Sequence, residues 1–286
     1  MRLPPRPIDI LNKSARLNGL RVTSGIAYGA HARQRLDIYA PADALPGLPV
    51  LVFFYGGSWQ SGDRADYRFA AGALARQGFV VVVPDYRLYP EVKFPAFLYD
   101  CGAAVTWVAD HIDQHQGDQT QIFLLGHSAG AYNAVMLALA PDYLDTSVRL
   151  AGVIGLSGPY DFLPLKDPKL KDMFSPPANI ADTQPITYVN AAAPSMFLAS
   201  GAADTTVMPR NTTAMATQLR RHGVFAQTKI YRGLGHIGIV LALLPYLSWR
   251  APVLRDLVAF TSACRSGAGR PTEASSTQSI GASSAA

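Results

Sequence analysis

Gln121-Ile122-Phe123-Leu124-Leu125-Gly126-His127-Ser128-Ala129-Gly130-Ala131-Tyr132 joins an unbroken apolar run to a helical pattern through a single glycine-flanked serine. The run 121–125 reads as a strand buried on both sheet faces, and residues 129–140 read as the helix that follows it. A serine between the two, with glycine two positions to either side, is the G-x-S-x-G turn. That turn is sharp, and side chains beside it would collide, so the glycines make room. Ser128 is thereby predicted to stand above the sheet edge. The helix starting at Ala129 directs its first N–H groups and positive dipole end to where a negative oxygen would form. Ser157, in Gly-Leu-Ser-Gly-Pro, also ends an apolar run, but it lacks the second glycine. Pro159 prevents a helix directly behind it, so Ser157 reads as structural.

Working outward, short apolar runs alternate with helical patterns. Residues 34–40 (QRLDIYA) alternate apolar and polar positions, as a half-buried strand does. Residues 50–55 (VLVFFY) and 79–83 read as buried strands, separated by a helix over 63–78 with Asp63 as its N-cap. A long helix is predicted over 95–116, strands over 150–156, 195–199 and 225–231, a helix over 209–222, and a final helix reaching about residue 259. Such alternation implies a mostly parallel sheet covered on both faces. The strands around 22–40 precede any helix and are expected to form an antiparallel edge. No internal repeat is found.

A serine hydroxyl needs a base to become a useful nucleophile. Of six histidines, His31, His111, His115 and His222 lie in polar turns or at helix ends, and His127 belongs to the serine turn. His236, in Arg-Gly-Leu-Gly-His just after the 225–231 strand, falls at the carboxyl edge of the sheet where Ser128 emerges. Asp204, following Ala-Ser-Gly-Ala-Ala after the 195–199 strand, reaches the same edge as the acid that would orient the imidazole. Asp161, after the 150–156 strand, is the second candidate for that role. The H-E-x-x-H metal motif is absent from the sequence, and no metal or cofactor is called for.

Composition narrows the classes further. Hydrophobic residues make up 49% and charged residues 16% of the 286, which suits a well-buried core and not a disordered chain. The net charge of +5 sits at the ends: residues 1–21 carry five Lys/Arg and one Asp, while 22–264 balance 18 basic with 18 acidic residues. A body without charge excess argues against nucleic-acid binding. Residues 1–21 read as a solvated basic arm, 22–264 as one domain, and 265–286, small and polar, as a disordered tail. Cys101 and Cys264 fit no metal or redox spacing, which suggests a reducing, cytoplasmic setting. No apolar stretch is long enough to insert stably in a membrane, and no secretory signal is evident. Oligomeric state is not readable.

These motifs together resemble the esterase/lipase group of α/β-hydrolases, including hormone-sensitive-lipase-like and bacterial carboxylesterases and their kynurenine-formamidase-like relatives. The resemblance runs from about residue 50 to 239. It rests on Tyr55-Gly56-Gly57-Ser58-Trp59, Pro84 through Glu91 (PDYRLYPE), Phe94-Pro95 entering a helix with Asp100, GHSAG, Ser157 through Asp161, Gly201 through Asp204 with Val207, and Gly235-His236. It implies an α/β-hydrolase fold: a mostly parallel sheet of about eight strands, helices on both faces and a small cap. It implies the catalytic order Ser128, Asp204, His236, and an oxyanion hole from the N–H groups of Gly57, Ser58 and Ala129. Tyr55 stands where the family's oxyanion motif carries histidine, and Asp85 and Arg87 are expected to brace that loop.

The activity implied is cleavage of short-acyl or aromatic carboxylic esters, small-molecule substrates without a cofactor. The G-G-x-W ending keeps arylformamidase chemistry open, and a hydrolase fold that only binds a small ligand is the alternative of another class. The proline-rich segment 157–194 is the expected cap, and Trp59, Tyr86, Tyr132 and Phe162 could line an acyl or alcohol pocket.

Overall fold

The longest uninterrupted apolar strands run through the middle of the molecule, where both sheet faces are covered. In the computed structural model, which describes residues 7–13, 15, 17–175 and 179–266, β3 (Leu48–Phe54) and β5 (Gly117–His127) pair in parallel, with Val50 opposite Ile122 and Phe54 opposite Gly126. Val50 through Phe54 and Ile122 through Leu125 are fully buried. At about 1.5–3 kcal/mol for each large side chain removed from water, these strands anchor the core.

The other strands are β1 (Leu20–Ala27), β2 (Arg35–Pro41), β4 (Val80–Pro84), β6 (Leu150–Leu156), β7 (Met196–Gly201) and β8 (Ala226–Tyr231). They form one eight-stranded sheet in the order β1-β2-β4-β3-β5-β6-β7-β8. Pairing is parallel from β4 through β8, whereas β1 and β2 form the antiparallel edge expected from their position before any helix. With helices on both faces, this is the α/β-hydrolase fold. The strand order reverses at β3: its two neighbours are β4 and β5, so the loops leaving β3 and β5 face each other across a crevice.

The helices are α1 (Pro7–Lys13), α2 (Arg68–Ala75), α3 (Ala96–His111), α4 (Ala129–Leu139), α5 (Pro168–Met173), α6 (Arg210–Arg221), α7 (His236–Leu241) and α8 (Val253–Arg265). Three predicted helices are divided, that over 95–116 into α3 and a 3₁₀ turn at Ile112–His115. Residues 64–67 form a 3₁₀ turn before α2, capped by the Asp63 carboxylate accepting from the Ala65 N–H at 2.8 Å. The predicted final helix is α7 and α8, parted where Pro245 and Pro252 cannot supply helical N–H donors. The described part of the expected arm differs more. Asn12 at the end of α1 donates to Ala65 O at 2.7 Å and accepts from the Phe69 N–H at 3.1 Å, while Ile8 and Leu11 pack on the core. Charge counting favoured a solvated arm because it took no account of these contacts. Most of the expected tail, from residue 267 onward, lies outside the described residues.

Segment 157–194 holds α5 and two short 3₁₀ turns, Ile180–Thr183 and Pro185–Tyr188. Its links to the body are specific: the Phe94 N–H donates to Met173 O at 2.9 Å, and the Tyr132 hydroxyl donates to Thr183 O at 2.8 Å. Among the described residues no helix is long and apolar enough to cross a membrane.

Candidate active site

The serine turn has almost no steric slack. A Cβ on Gly126 would lie 2.2 Å from Gly130 O, and one on Gly130 would lie 2.0 Å from Phe54 O. Both glycines are thus required by contact. The strand-to-helix reversal forces Ser128 to φ 55° and ψ −123°, a conformation that non-glycine residues rarely adopt. Its backbone N–H donates to Leu156 O at 2.9 Å, fixing the turn against β6.

The structure brings the three predicted side chains together. Ser128 Oγ lies 2.8 Å from His236 Nε2, and His236 Nδ1 lies 2.8 Å from Asp204 Oδ2. His236 occupies the first turn of α7, and Asp204 follows β7. The second carboxylate oxygen of Asp204 accepts the N–H groups of Thr206 and Val207 at 3.0 and 2.9 Å. Burial alone would raise the Asp204 pKa. The hydrogen bonds from His236 and from the Val207 N–H outweigh it and hold the carboxyl below its ordinary value. An ionised Asp204 can only accept, so the imidazole proton sits on Nδ1 and the Nε2 lone pair faces the serine hydroxyl. Asp161 is exposed and its N–H donates to Asn211 Oδ1 at 2.9 Å; the structure pairs His236 with Asp204 instead.

His127 does something the sequence did not indicate. Its Nε2 lies 2.9 Å from the backbone carbonyl of His236, an acceptor, so that nitrogen carries the proton. Burial, helped by the neighbouring His236, lowers its pKa to about 4, leaving it neutral at neutral pH. The imidazole thereby ties the serine turn to the segment that carries His236.

The loop after β3 lies against the serine: a Cβ on Gly56 would be 3.0 Å from Ser128 Cβ. Gly57, Ser58 and Trp59 all have positive φ, at 131°, 53° and 57°. The resulting turn closes with Gln60 and Ser61 donating to Gly57 O at 2.9 and 3.1 Å. Among the described residues no backbone carbonyl takes up the N–H groups of Gly57, Ser58 or Ala129. Behind this loop, the Tyr55 hydroxyl donates to Asp85 Oδ1 at 2.7 Å, and Asp85 also accepts from the Arg64 N–H and guanidinium. Asp85 braces the loop as predicted, while Arg87 does not: it pairs with Asp100, at 2.7 Å, and pins its segment to α3.

Of the four aromatic residues considered for a pocket, three cluster. Trp59 packs edge-on against Tyr132 at a centroid distance of 5.1 Å, and Tyr132 against Phe162 at 5.9 Å. The Trp59 indole donates to Asn133 Oδ1 at 2.9 Å. Tyr86 belongs elsewhere. It is fully buried, stacked on Tyr55, with its hydroxyl donating to Tyr55 O at 2.8 Å, so it supports the loop from beneath. Phe174, missed from sequence, completes the cluster at 5.0 Å from Trp59 and 5.6 Å from Phe162. Beyond it lies a cleft of about 630 Å³ lined by Leu163, Pro164, Leu165, Lys171 and Ile180. Nothing in the proline-rich sequence around Phe174 distinguishes it from a surface residue. Among the described residues no group of three His, Cys, Asp or Glu side chains is placed to hold a metal ion.

Known proteins with similar sequences and folds place the chain. It is 27% identical over 265 residues to a probable isoprenylcysteine alpha-carbonyl methylesterase of Oryza sativa subsp. japonica, covering 83% of this chain and 62% of that protein. A kynurenine formamidase of Danio rerio is 31% identical over 142 residues, 49% of this chain and 47% of the relative. The chain thus spans less than two-thirds of the length of either. Esterase B from Lactobacillus rhamnosis superposes with a TM-score of 0.78 over 91% of both chains at 20% identity, a likeness of fold. The family model described as BD-FAE matches residues 36–219, from β2 through most of α6, and takes in both Ser128 and Asp204. With well over half of its length so matched, the chain belongs to the BD-FAE family.

Proposed function

We propose that this chain is a serine hydrolase that cleaves carboxylic esters through an acyl-enzyme, with Ser128 as nucleophile, His236 as base and Asp204 as its orienting acid. The observation that carries this reading is the unbroken hydrogen-bonded line Asp204–His236–Ser128, with 2.8 Å at each link. Ser128 Oγ attacks the ester carbonyl carbon as its proton passes to His236 Nε2. The carbonyl oxygen becomes an oxyanion beside the N–H groups of Gly57, Ser58 and Ala129, where each donor is worth about 2.7–4 kcal/mol in the transition state. Collapse breaks the carbon–oxygen bond, and His236 gives the proton to the departing alcohol. Water, deprotonated by the same imidazole, then releases the acid and restores Ser128.

Small-molecule esters with short or aromatic acyl groups are the expected substrates, with segment 157–194 as the cap over the apolar cluster of Trp59, Tyr132, Phe162 and Phe174. A cytoplasmic setting accords with two free thiols, Cys101 and Cys264. The 31% identity to a kynurenine formamidase over 142 residues supports a second reading, hydrolysis of a formyl amide on an aromatic amine. One assay separates them: p-nitrophenyl esters from acetate to palmitate beside N-formylkynurenine, with Ser128→Ala as control. Fast turnover of short esters, lost in the variant, is the expected result. Preference for the formamide moves the assignment to arylformamidase. No turnover of either substrate by folded protein refutes both and leaves a ligand-binding role.

A further inference from the structure

The turn between β1 and β2 reaches the loop after β3 through one side chain. Arg33 donates from Nε to Tyr86 O at 2.9 Å and from Nη2 to both the Tyr55 hydroxyl and Gly62 O, each at 2.9 Å. Tyr55 and Gly62 bracket the loop that carries Gly57 and Ser58. Gly62 lies on the Tyr55 ring, where a Cβ would approach within 2.7 Å, and its φ of 112° suits glycine. The proton directions are determined by chemistry. Arginine cannot accept, so the Tyr55 hydroxyl must give its proton to Asp85 and receive Arg33 on its lone pair. Both hydrogens of Nη2 are then in use, one at each end of the loop. A planar fork can make three such bonds at once, which a lysine ammonium on a flexible stem would not reproduce.

We propose that Arg33 is a positioning residue that holds the two ends of the oxyanion loop together through the Tyr55 hydroxyl and the Gly62 carbonyl. This rests on the ester-hydrolase reading given above. It assigns to a remote hairpin the support that the motif residue alone cannot give, since Tyr55 reaches Gly62 by ring contact but not by a hydrogen bond of its own. Because the loop acts on charge that appears only in the transition state, its displacement should lower kcat while leaving KM nearly alone.

The test compares wild type, Arg33→Met and Arg33→Lys on p-nitrophenyl acetate, with active sites counted by fluorophosphonate titration. An alkyl boronic acid serves as the tetrahedral analogue. Expected for Arg33→Met is a fall in kcat per active site of roughly 10–100-fold, less than the full loss of an oxyanion donor. KM should change little, and boronate affinity should fall in step with kcat/KM. Arg33→Lys should not restore it. A lowered melting temperature with kcat per site unchanged would make Arg33 a stabilising residue only and overturn the proposal. Should Arg33→Met fail to fold, Tyr55→Phe removes the same link while keeping the ring, and an unaltered kcat there overturns it equally. A wild type without turnover refutes the hydrolase reading itself, whereas an active wild type with an equally active variant refutes only the role of Arg33.

Discussion

Replacing Gly57 by alanine tests whether the loop after β3 presents oxyanion donors. The new Cβ would stand 2.1 Å from Ser61 O and 2.8 Å from Ser61 C, backbone atoms with no rotamer to yield. Reaching ordinary contact requires a shift of about 1 Å, and a misplacement of that size can cost 10²-fold in rate. Ser61 and Gln60 are hydrogen-bonded back to Gly57 O, so the turn moves as a unit and carries the Gly57 and Ser58 N–H groups with it. Loss of one donor corresponds to about 2.7–4 kcal/mol, or 10²–10³-fold in kcat. Alanine at φ 131° also strains the backbone by about 1–3 kcal/mol, which should appear as a lower melting temperature. The assay is steady-state hydrolysis of p-nitrophenyl acetate at 25 °C, with rates divided by titrated active sites so that unfolded protein does not count. A folded Gly57→Ala protein whose kcat stays within about threefold of wild type would refute the placement of the oxyanion hole.

Other expectations follow from the same geometry. Asp204→Asn should cost about 10⁴-fold in kcat, because its amide, with Oδ1 still accepting from Thr206 and Val207, would turn an N–H toward His236 and force the unproductive tautomer; single-turnover rates near wild type would contradict this. Asp204 has a depressed pKa in the fold, so its stabilisation is present above the ordinary carboxylate range and is lost as pH falls through the folded value. His127 acts in the same sense, in a higher pH interval. Its unfolded form binds a proton below 6.5 and its folded form only below about 4, so stability should decline by about 3 kcal/mol as pH drops across that interval. Urea unfolding of His127→Gln should show a flatter pH dependence there, and an identical slope would rule His127 out as the source. Ser128→Gly and Ser128→Ala should both be inactive, but the glycine variant should be more stable by about 1 kcal/mol because φ 55° suits it; equal melting temperatures would argue against strain at the turn.

Much of this was legible in the residues, for reasons that differ from place to place. Residues 50–54 and 121–125 announce buried strands because a parallel sheet covered on both faces leaves no polar side to alternate. Gly126 and Gly130 were readable from the strand–turn–helix pattern around Ser128, although the close neighbour of Gly130 is Phe54 O on the distant β3. Asp204 and His236 could be placed because parallel strands deliver their following loops to one edge. What could not be read depends on contacts between distant segments. Trp59 meets Asn133, 74 residues away, and Arg33 meets Gly62, 29 residues away, with no periodicity to mark either. Tyr86 sits beside a recognisable motif, yet only the packing shows that it faces inward. Arg87 looked like a brace for the loop because it adjoins Asp85, and adjacency in sequence did not say which carboxylate it would choose.

The order in which the chain supplies the proposed triad has a consequence for synthesis. Ser128 and His236 are 108 residues apart, and the histidine belongs to the loop after β8, the outermost strand on its side of the sheet. A nascent chain growing from its amino end therefore exposes the serine turn long before the base exists. Under the proposed triad, the hydroxyl stays an ordinary alcohol until β8 docks on β7, chemically silent toward any ester nearby. The edge strand thus works as an arming step: reactivity arrives with the completion of the sheet, and an interrupted chain ending at β7 would carry the whole serine turn and be inert.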